Sequence, residues 1–326
     1  MYTIAKRLSL IWIAPFLSLC VCGAALAQGF PAKPITVIVP APEGGPAHGV
    51  LRLIAQKVTE NTGQQIVVDS RGGGNGTIGV MAVKQAPADG SVLLLGHPGT
   101  LVVLPLLAPL PYDPVADFRP VTSLAFYPSV LLVPASSPAK SVAELVALAR
   151  SKPGGLFYGH NGIGGAPHLV PEMFKLAAGI PATMVPYKGM QPATTDLIAG
   201  RVDFLFAAFF STRSHVEAGR LRVLAVASPQ RMESSPQIAT MAEAGFPSVE
   251  LDNWFGLSAP AGTPVATIQA IYREFAKAMG DAGVRQGLAL TGNRAGGQSP
   301  EEFGNFLAAE RLKMEKLIKA AGIKAE

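Results

Sequence analysis

Apolar residues along this chain gather in short β-branched or Leu-rich runs: ITVIV at 35–39, IVVD at 66–69, VLLLG at 92–96, VLLV at 130–133, LFYG at 156–159, MVPY at 184–187, DFLFA at 203–207 and VLAVA at 223–227. Between most of them lie segments whose apolar positions recur every three or four residues and which stop at a glycine, as at 50–63, 144–154 and 169–179. That period marks helices with one buried face, and the closing glycine supplies the left-handed residue that ends them. Strands alternating with helices predict mainly parallel sheets flanked by helices, an α/β fold. After WFGLSAPAGTP at 254–264 the pattern becomes helical throughout, over 265–279, 282–290 and 300–321, with Pro264 and Pro300 where helix starts accept proline. We read two α/β lobes: 28–127 plus 251–326, and 128–250, with the C-terminal helices packing on lobe 1. The chain crosses between them near Tyr127 and near Asp252, which makes a hinge. One continuous doubly wound domain is the alternative.

The first 27 residues change where this fold sits. Lys6 and Arg7 precede an apolar run from Leu8 to Leu26, and Ala25-Leu26-Ala27 forms a small-residue cleavage site, so the pattern predicts a signal peptide cut after Ala27 and a periplasmic protein. A retained membrane anchor is the weaker reading, because the apolar core is short. Both cysteines, Cys20 and Cys22, fall inside this segment, and neither Leu19 nor Val21 before them completes a lipoprotein box. Disulfides, thiol catalysis and cysteine-bound zinc are therefore not expected in the mature chain. The formal net charge is +5, and Lys6 and Arg7 supply two of those charges. The remaining Lys and Arg are scattered and not interleaved with aromatics, so no nucleic-acid surface is expected.

Chemistry concentrates in three glycine- and proline-rich turns, each joining a strand-like run to a helix-like run: PAPEGGPAHG at 40–49, SRGGGNGTIG at 70–79 and YGHNGIGGAPH at 158–168. Helix starts leave backbone N–H groups unpaired, with the positive end of the helix dipole behind them, and so they hold anions. Gly44, Gly45, Pro46, Ala47 and His48 are candidate ligand contacts on that ground. GNGTIG at 74–79 matches a dinucleotide-binding string. It lies in the second strand–helix unit, however, and no acid ends the following strand, so these glycines are read as allowing close helix–sheet approach. His48, His97 and His160 fall in loops past strand ends, where open α/β sheets bind ligands. An imidazole donating to a carboxylate is the functional reading for each, and affinity is then expected to weaken from pH 6 to pH 8. Their spacing fits no metal motif, so no metal and no cofactor is expected. No G-x-S-x-G occurs, and Asp196 and Asp203 read as solvated ends and structural contacts rather than an acid/base pair. Binding without catalysis is the reading; a secreted hydrolase or isomerase using one of the three histidines as general base is the rival.

With these residues in hand, the chain resembles the periplasmic receptors of tripartite tricarboxylate transporters, the Bug-type solute-binding proteins. The likeness runs the length of the mature chain. It is carried by KPITVIVP at 33–40 before a Gly-Gly loop, IGVMAVKQAPADGSVLLLG at 78–96 and LPYDPVADFRPVTSLA at 110–125. VPYKGMQPATTDLIAGRVDFLF at 185–206, AGRLRVLAVASPQR at 218–231 and WFGLSAPAGTP at 254–264 complete it. The resemblance implies a two-lobed periplasmic-binding-protein-like (type II) fold that closes on a small organic acid and holds one carboxylate with backbone amides. By position, Gly44 to His48 match the first ligand loop, Thr77, Gly99 and Thr100 match first-lobe contacts, and Gly164, Gly165 and Ala166, running on to His168, match the second-lobe loop. Tyr187 and Lys188 match a Tyr-Lys-Gly segment. The chain departs from the family where specificity is set. Pro46, Ala47 and His48 stand where Ser-Thr-Asp is usual, Gly165 and Ala166 stand where hydroxyls are usual, and Ala207, then Ala208, Phe209 and Phe210, stand where Asp or Asn is usual. Loss of that acid argues against an α-amino-acid ligand, whose buried ammonium would lack a partner. Fewer hydroxyls and added phenylalanines favour an aromatic or longer-chain carboxylate. The implied partners are integral-membrane transporter subunits, with a sensor kinase as a further one. The receptor itself is read as a monomer.

Overall fold

The computed structural model describes residues 33–41, 43–162 and 164–323. The signal segment read at 1–27 lies outside the described residues. Ten strands follow in chain order: β1 Ile35–Val39, β2 Ile66–Ser70, β3 Val92–Gly96, β4 Phe118–Pro134, β5 Leu156–His160, β6 Ala182–Pro186, β7 Leu205–Ala208, β8 Leu221–Val226, β9 Asp252–Pro260 and β10 Arg294–Ala295. The α-helices are α1 Pro46–Thr62, α2 Thr77–Lys84, α3 Leu104–Leu107, α4 Val142–Ser151, α5 Ala166–Ala178, α6 Met190–Ile198, α7 Phe209–Glu217, α8 Val265–Gly280, α9 Ala282–Leu290 and α10 Pro300–Ala321.

β1 lies between β2 and β3, parallel to both, and its residues Ile35, Val37, Ile38 and Val39 are shielded on both faces. That is why ITVIV reads as an unbroken apolar run rather than an alternating one. α1 covers one face through Val50, Leu51, Ile54, Ala55 and Val58, and it ends at Gly63, whose φ of 72° only glycine adopts without strain. α8 packs beside α1 on this face, with Ile268, Ile271 and Phe275 in the same core. α10 covers the other face against β4. It is started by Ser299 and Glu302, which cap each other's backbone N–H groups, with Pro300 at its first position. Gly256 of β9 admits no Cβ because the Phe303 ring of α10 fills the space, and Trp254 meets the same ring edge-on at 5.6 Å. The helical tail thus completes the first lobe.

β4 decides the architecture. Its seventeen residues run through both halves of the molecule: 118–128 pair antiparallel with β9 in the first sheet, and 129–134 pair with β7 and β8 in the second. The first sheet has the order β2-β1-β3-β9-β4-β10. On the second lobe β6 and β5 are parallel, and an isolated bridge joins Tyr158 of β5 to Phe204, the residue before β7. Parallel pairing holds for β1 with β2, β1 with β3 and β5 with β6, but every pair that the hinge strands β4 and β9 make is antiparallel, so the sheets are mixed. β9 runs against its neighbours in one sheet, and β4 runs against its neighbours in the other. A run such as VLLV reports burial, not direction, so this reversal is absent from the pattern. The lobes also touch beside the hinge: Gly164 sits against Val103 and Leu107, and the Arg213 guanidinium donates to the Leu290 carbonyl. Among the described residues no helix is long and apolar enough to cross a membrane.

A cleft between two opposed helix starts

α1 and α5 begin in the same way. Gly44 has φ +83°, Gly45 caps α1 in an extended conformation, and Pro46 follows with its fixed φ. Gly164 has φ +81°, Gly165 caps α5 in the same extended conformation, and Ala166 and Pro167 follow. The His48 N–H turns back to the Gly45 carbonyl at 3.1 Å, and the His168 N–H turns back to Gly165 at 2.9 Å. The N–H groups of Ala47, Gly165 and Ala166 find no acceptor among the described residues. Neither helix has a side-chain cap or an acid in its first turn, so nothing offsets the positive end of either dipole.

These two starts face one cleft of about 690 Å³. Gly44, Gly45 and Pro46 line it from the first lobe, and Gly164, Gly165 and Ala166 line it from the second. His97 and Gly99 add a third edge at the end of β3. Among the described residues, no Lys, Arg, Asp or Glu lines the cleft. Donors for an anion are therefore uncharged: the backbone amides of the two helix starts and the side chains of His97, Asn161 and Gln191.

His97 is fixed by its own loop: its Nδ1 accepts the Gly99 N–H at 3.2 Å, which leaves the proton on Nε2. Burial pushes its pKa down to about 4, so the ring is neutral at pH 7. Of the neutral or charged imidazole that the sequence allows, His97 is thus the neutral donor. Thr100 does not line the cleft; it is fully buried, its hydroxyl donates to the His97 carbonyl, and its own carbonyl accepts the Tyr112 hydroxyl at 2.7 Å.

Three other histidines support the turns from behind. His48 is 2% exposed and its Nε2 pairs with the Ser70 hydroxyl at 2.6 Å; Ala47 beside it is buried in the core. His160 is also 2% exposed, its Nδ1 accepts the Gly162 N–H, and its ring lies 5.4 Å from that of His168. His168 in turn accepts the Gly164 N–H on Nδ1 at 3.1 Å, and its pKa falls to about 4 through burial and the neighbouring His160. Neither His48 nor His160 reaches the cleft. Three further candidates are also placed elsewhere. Thr77 opens α2 outside the lining, and the Tyr187 hydroxyl donates to Asp196 at 2.9 Å. Ala207 points into the second-lobe core, because side chains alternate along β7 and it is Ala208 that faces the cleft.

The floor comes from residues that the sequence reading passed over. Tyr127 and Ser129 of β4 and Asn253 of β9 lie where the chain crosses between lobes, and Phe210, Ser211, Met190, Gln191 and Asn161 add side walls. Tyr127 stacks on Phe255 at 4.9 Å and meets Phe210 edge-on at 6.0 Å, and burial raises its phenol pKa well above the usual value. A polar residue inside a buried strand was the available signal: Ser129 follows FYP and precedes VLL, and Asn253 precedes WFG.

Two α/β lobes joined by crossing strands, with a cleft between them that no charged side chain lines among the described residues, define a binding protein of the two-lobed type II class. The chain belongs to the tripartite tricarboxylate transporter family of receptors, whose sequence profile matches residues 50–323. It is 36% identical to the UPF0065 protein in the tcbD-tcbE intergenic region of a Pseudomonas species, over 97% of this chain and 94% of that one. It is 32% identical to Protein BugT of Bordetella pertussis over 91% of this chain and 92% of the relative. Among solved structures, R. palustris Rpa4515 with adipate superposes with a TM-score of 0.81 at 37% identity, covering 90% of this chain and 99% of that one. MatC from Rhodopseudomonas palustris with bound malate gives 0.76 at 29% identity, over 89% and 100%.

Proposed function

We propose that this protein is a periplasmic receptor that captures a small organic acid between its lobes and delivers it to integral-membrane subunits of a tripartite transporter. The observation that carries the reading is the cleft itself, in which two uncapped helix starts face each other with no charged side chain between them. Such a site suits one carboxylate, held by amides rather than by an ion pair. The adipate and malate named for two similar structures support an acid as the ligand class.

Lobes of 28–127 plus 251–326 and 128–250 fit β4, β9 and the 227–251 return as hinge elements. Ligand bridging both turns favours the closed arrangement by its differential affinity for it. Binding without turnover is supported by hydrogen bonds already made by groups in the cleft that could act as nucleophile or base. The Ser211 hydroxyl donates to Ala208, Ser129 accepts from Asn253, and the His97 Nδ1 is taken by Gly99. Tyr127, Phe210 and Met190 on the walls favour an aromatic or longer-chain acid.

Titration with mono-, di- and aromatic carboxylates tests this. Ligand at about 100 times its Kd raises apparent stability by about 2.7 kcal/mol, a shift readily seen in the melting temperature. Trp254 is a poor optical reporter, since its ring packs against Phe303 and Phe306 on the side of β9 away from Asn253 and the cleft. Absence of any thermal shift across the panel would sink the receptor reading; conversion of the acid to a product would replace it with the enzymatic one.

A further inference from the structure

Where β4 and β9 cross, the cleft floor holds two polar side chains that are almost fully buried: Ser129 is 1% exposed and Asn253 is 5% exposed. The Asn253 amide donates from Nδ2 to the Ser129 hydroxyl oxygen at 3.0 Å and lies 3.5 Å from the Tyr127 carbonyl. A carbonyl neighbour can only accept, so it fixes which end of the amide faces it. With that bond made, the Ser129 hydroxyl proton and the Asn253 carbonyl oxygen have no partner among the described residues. One donor and one acceptor therefore stand side by side at the bottom of a cleft walled by Phe210 and Met190 beside the Tyr127 ring, and by the polar Asn161, Gln191 and Ser211.

The chemistry that satisfies such a pair is narrow. A hydroxyl does so in both directions, taking the Ser129 proton on its oxygen and giving its own proton to Asn253 Oδ1. A methyl group or an unsubstituted ring edge leaves both groups unmet, which buried polar groups tolerate poorly. A second carboxylate can only accept, and would set its negative oxygen against Asn253 Oδ1 with no cationic side chain in the lining to offset it. We propose that the solute of this receptor is a hydroxy acid whose hydroxyl is remote from its carboxylate, carried on a ring or a chain, with Ser129 and Asn253 as the residues that read the hydroxyl. The inference rests on the acid-receptor reading above and names the far end of the ligand. Both residues sit on the strands that cross between lobes, so the contact also ties occupancy to the hinge.

Calorimetric titration of two matched series decides it: 3-phenylpropanoate against 3-(4-hydroxyphenyl)propanoate, and hexanoate against 6-hydroxyhexanoate and adipate. In at least one series the hydroxyl tightens binding about tenfold, with adipate weaker than 6-hydroxyhexanoate. Ser129→Ala and Asn253→Ala each cut the ratio of hydroxy-acid to parent-acid affinity to roughly threefold or less, and a cooperative thermal melt shows that the variant is folded. If one variant does not fold, the other decides. The inference is overturned by a hydroxyl that adds nothing in either series, by a gain that survives both substitutions, or by adipate binding more tightly than the hydroxy acid. In each of those outcomes the parent acids still bind and the receptor reading stands. If no acid in either series binds, that reading falls and takes this one with it.

Discussion

The two turns that face each other across the cleft are near copies in sequence, GGPAH at 44–48 and GGAPH at 164–168, and they differ in how their histidines are used. Both begin with a left-handed glycine, both cap with an extended glycine, and both bury the histidine at the third helical position. In the first, proline occupies the opening position and His48 leans outward onto Ser70 of the neighbouring strand. In the second, proline is one place later and His168 reaches back to hold the N–H of its own Gly164. His160 braces it from behind and itself holds the Gly162 N–H. The first turn is therefore anchored to its sheet, whereas the second is held by imidazoles within the loop. Similar short sequences give similar backbones, but the surroundings decide which atoms hold them in place.

The largest expected difference between the turns lies at their first glycines. Gly164→Ala forces a side chain into the left-handed region, which costs about 1–2 kcal/mol. It also drives Cβ to 2.7 Å from Val103 Cγ1, an overlap worth on the order of 1–3 kcal/mol more. Gly44→Ala meets nothing within 4 Å and carries the conformational cost alone. Urea unfolding of both variants measures the gap; equal losses would mean that the second turn is not wedged against lobe 1.

Next in size is the pair of histidines. His168→Ala strands the buried Gly164 N–H at a cost of about 1–3 kcal/mol and loosens the turn, so acid affinity falls with stability. His48→Ala loses one side-chain bond, about 0.5–1.5 kcal/mol, and changes affinity less. A reversed order in calorimetry and thermal melts would assign the anchoring role to the wrong turn.

The pH dependence of stability is smaller per unit. His97 and His168 both have pKa values lowered from 6.5 to about 4, so folding favours their neutral forms. Their contribution is complete above pH 6.5 and is lost as pH falls from there toward about 4, at no more than about 1.4 kcal/mol per pH unit for each ring. His168→Gln should flatten part of that slope, as read from unfolding free energies between pH 7 and pH 4.5. The smallest effect is on binding: with His97 already neutral, acid affinity changes by less than about twofold between pH 6 and pH 8. A steady weakening over that interval would mean that an imidazole holds the acid in its charged form.

Much of this was legible in the chain. The strand runs around ITVIV, the helices closed by Gly63 and Gly179, and the helical tail all follow from periodicity and terminal glycines, because burial of one face is written locally. The uncapped helix starts at 44–46 and 164–166 were legible for the same reason: unpaired amides at a helix start depend on the residues of that turn alone. Thr77, Thr100, Tyr187 and Ala207 were matched by position, yet their side chains are turned away from the cleft by neighbours far along the chain.

By itself, then, the sequence determined the α/β elements, the two glycine-led turns and a chemistry suited to anions. Only the tertiary structure decided that β4 would pass unbroken through both lobes and run beside β9. That pairing sets Tyr127, Ser129 and Asn253, 126 residues apart in the chain at their extremes, into one floor. The reason is physical: a helix start satisfies or exposes its own amides, whereas the neighbours of a side chain on a crossing strand are chosen by the register of a partner more than a hundred residues away.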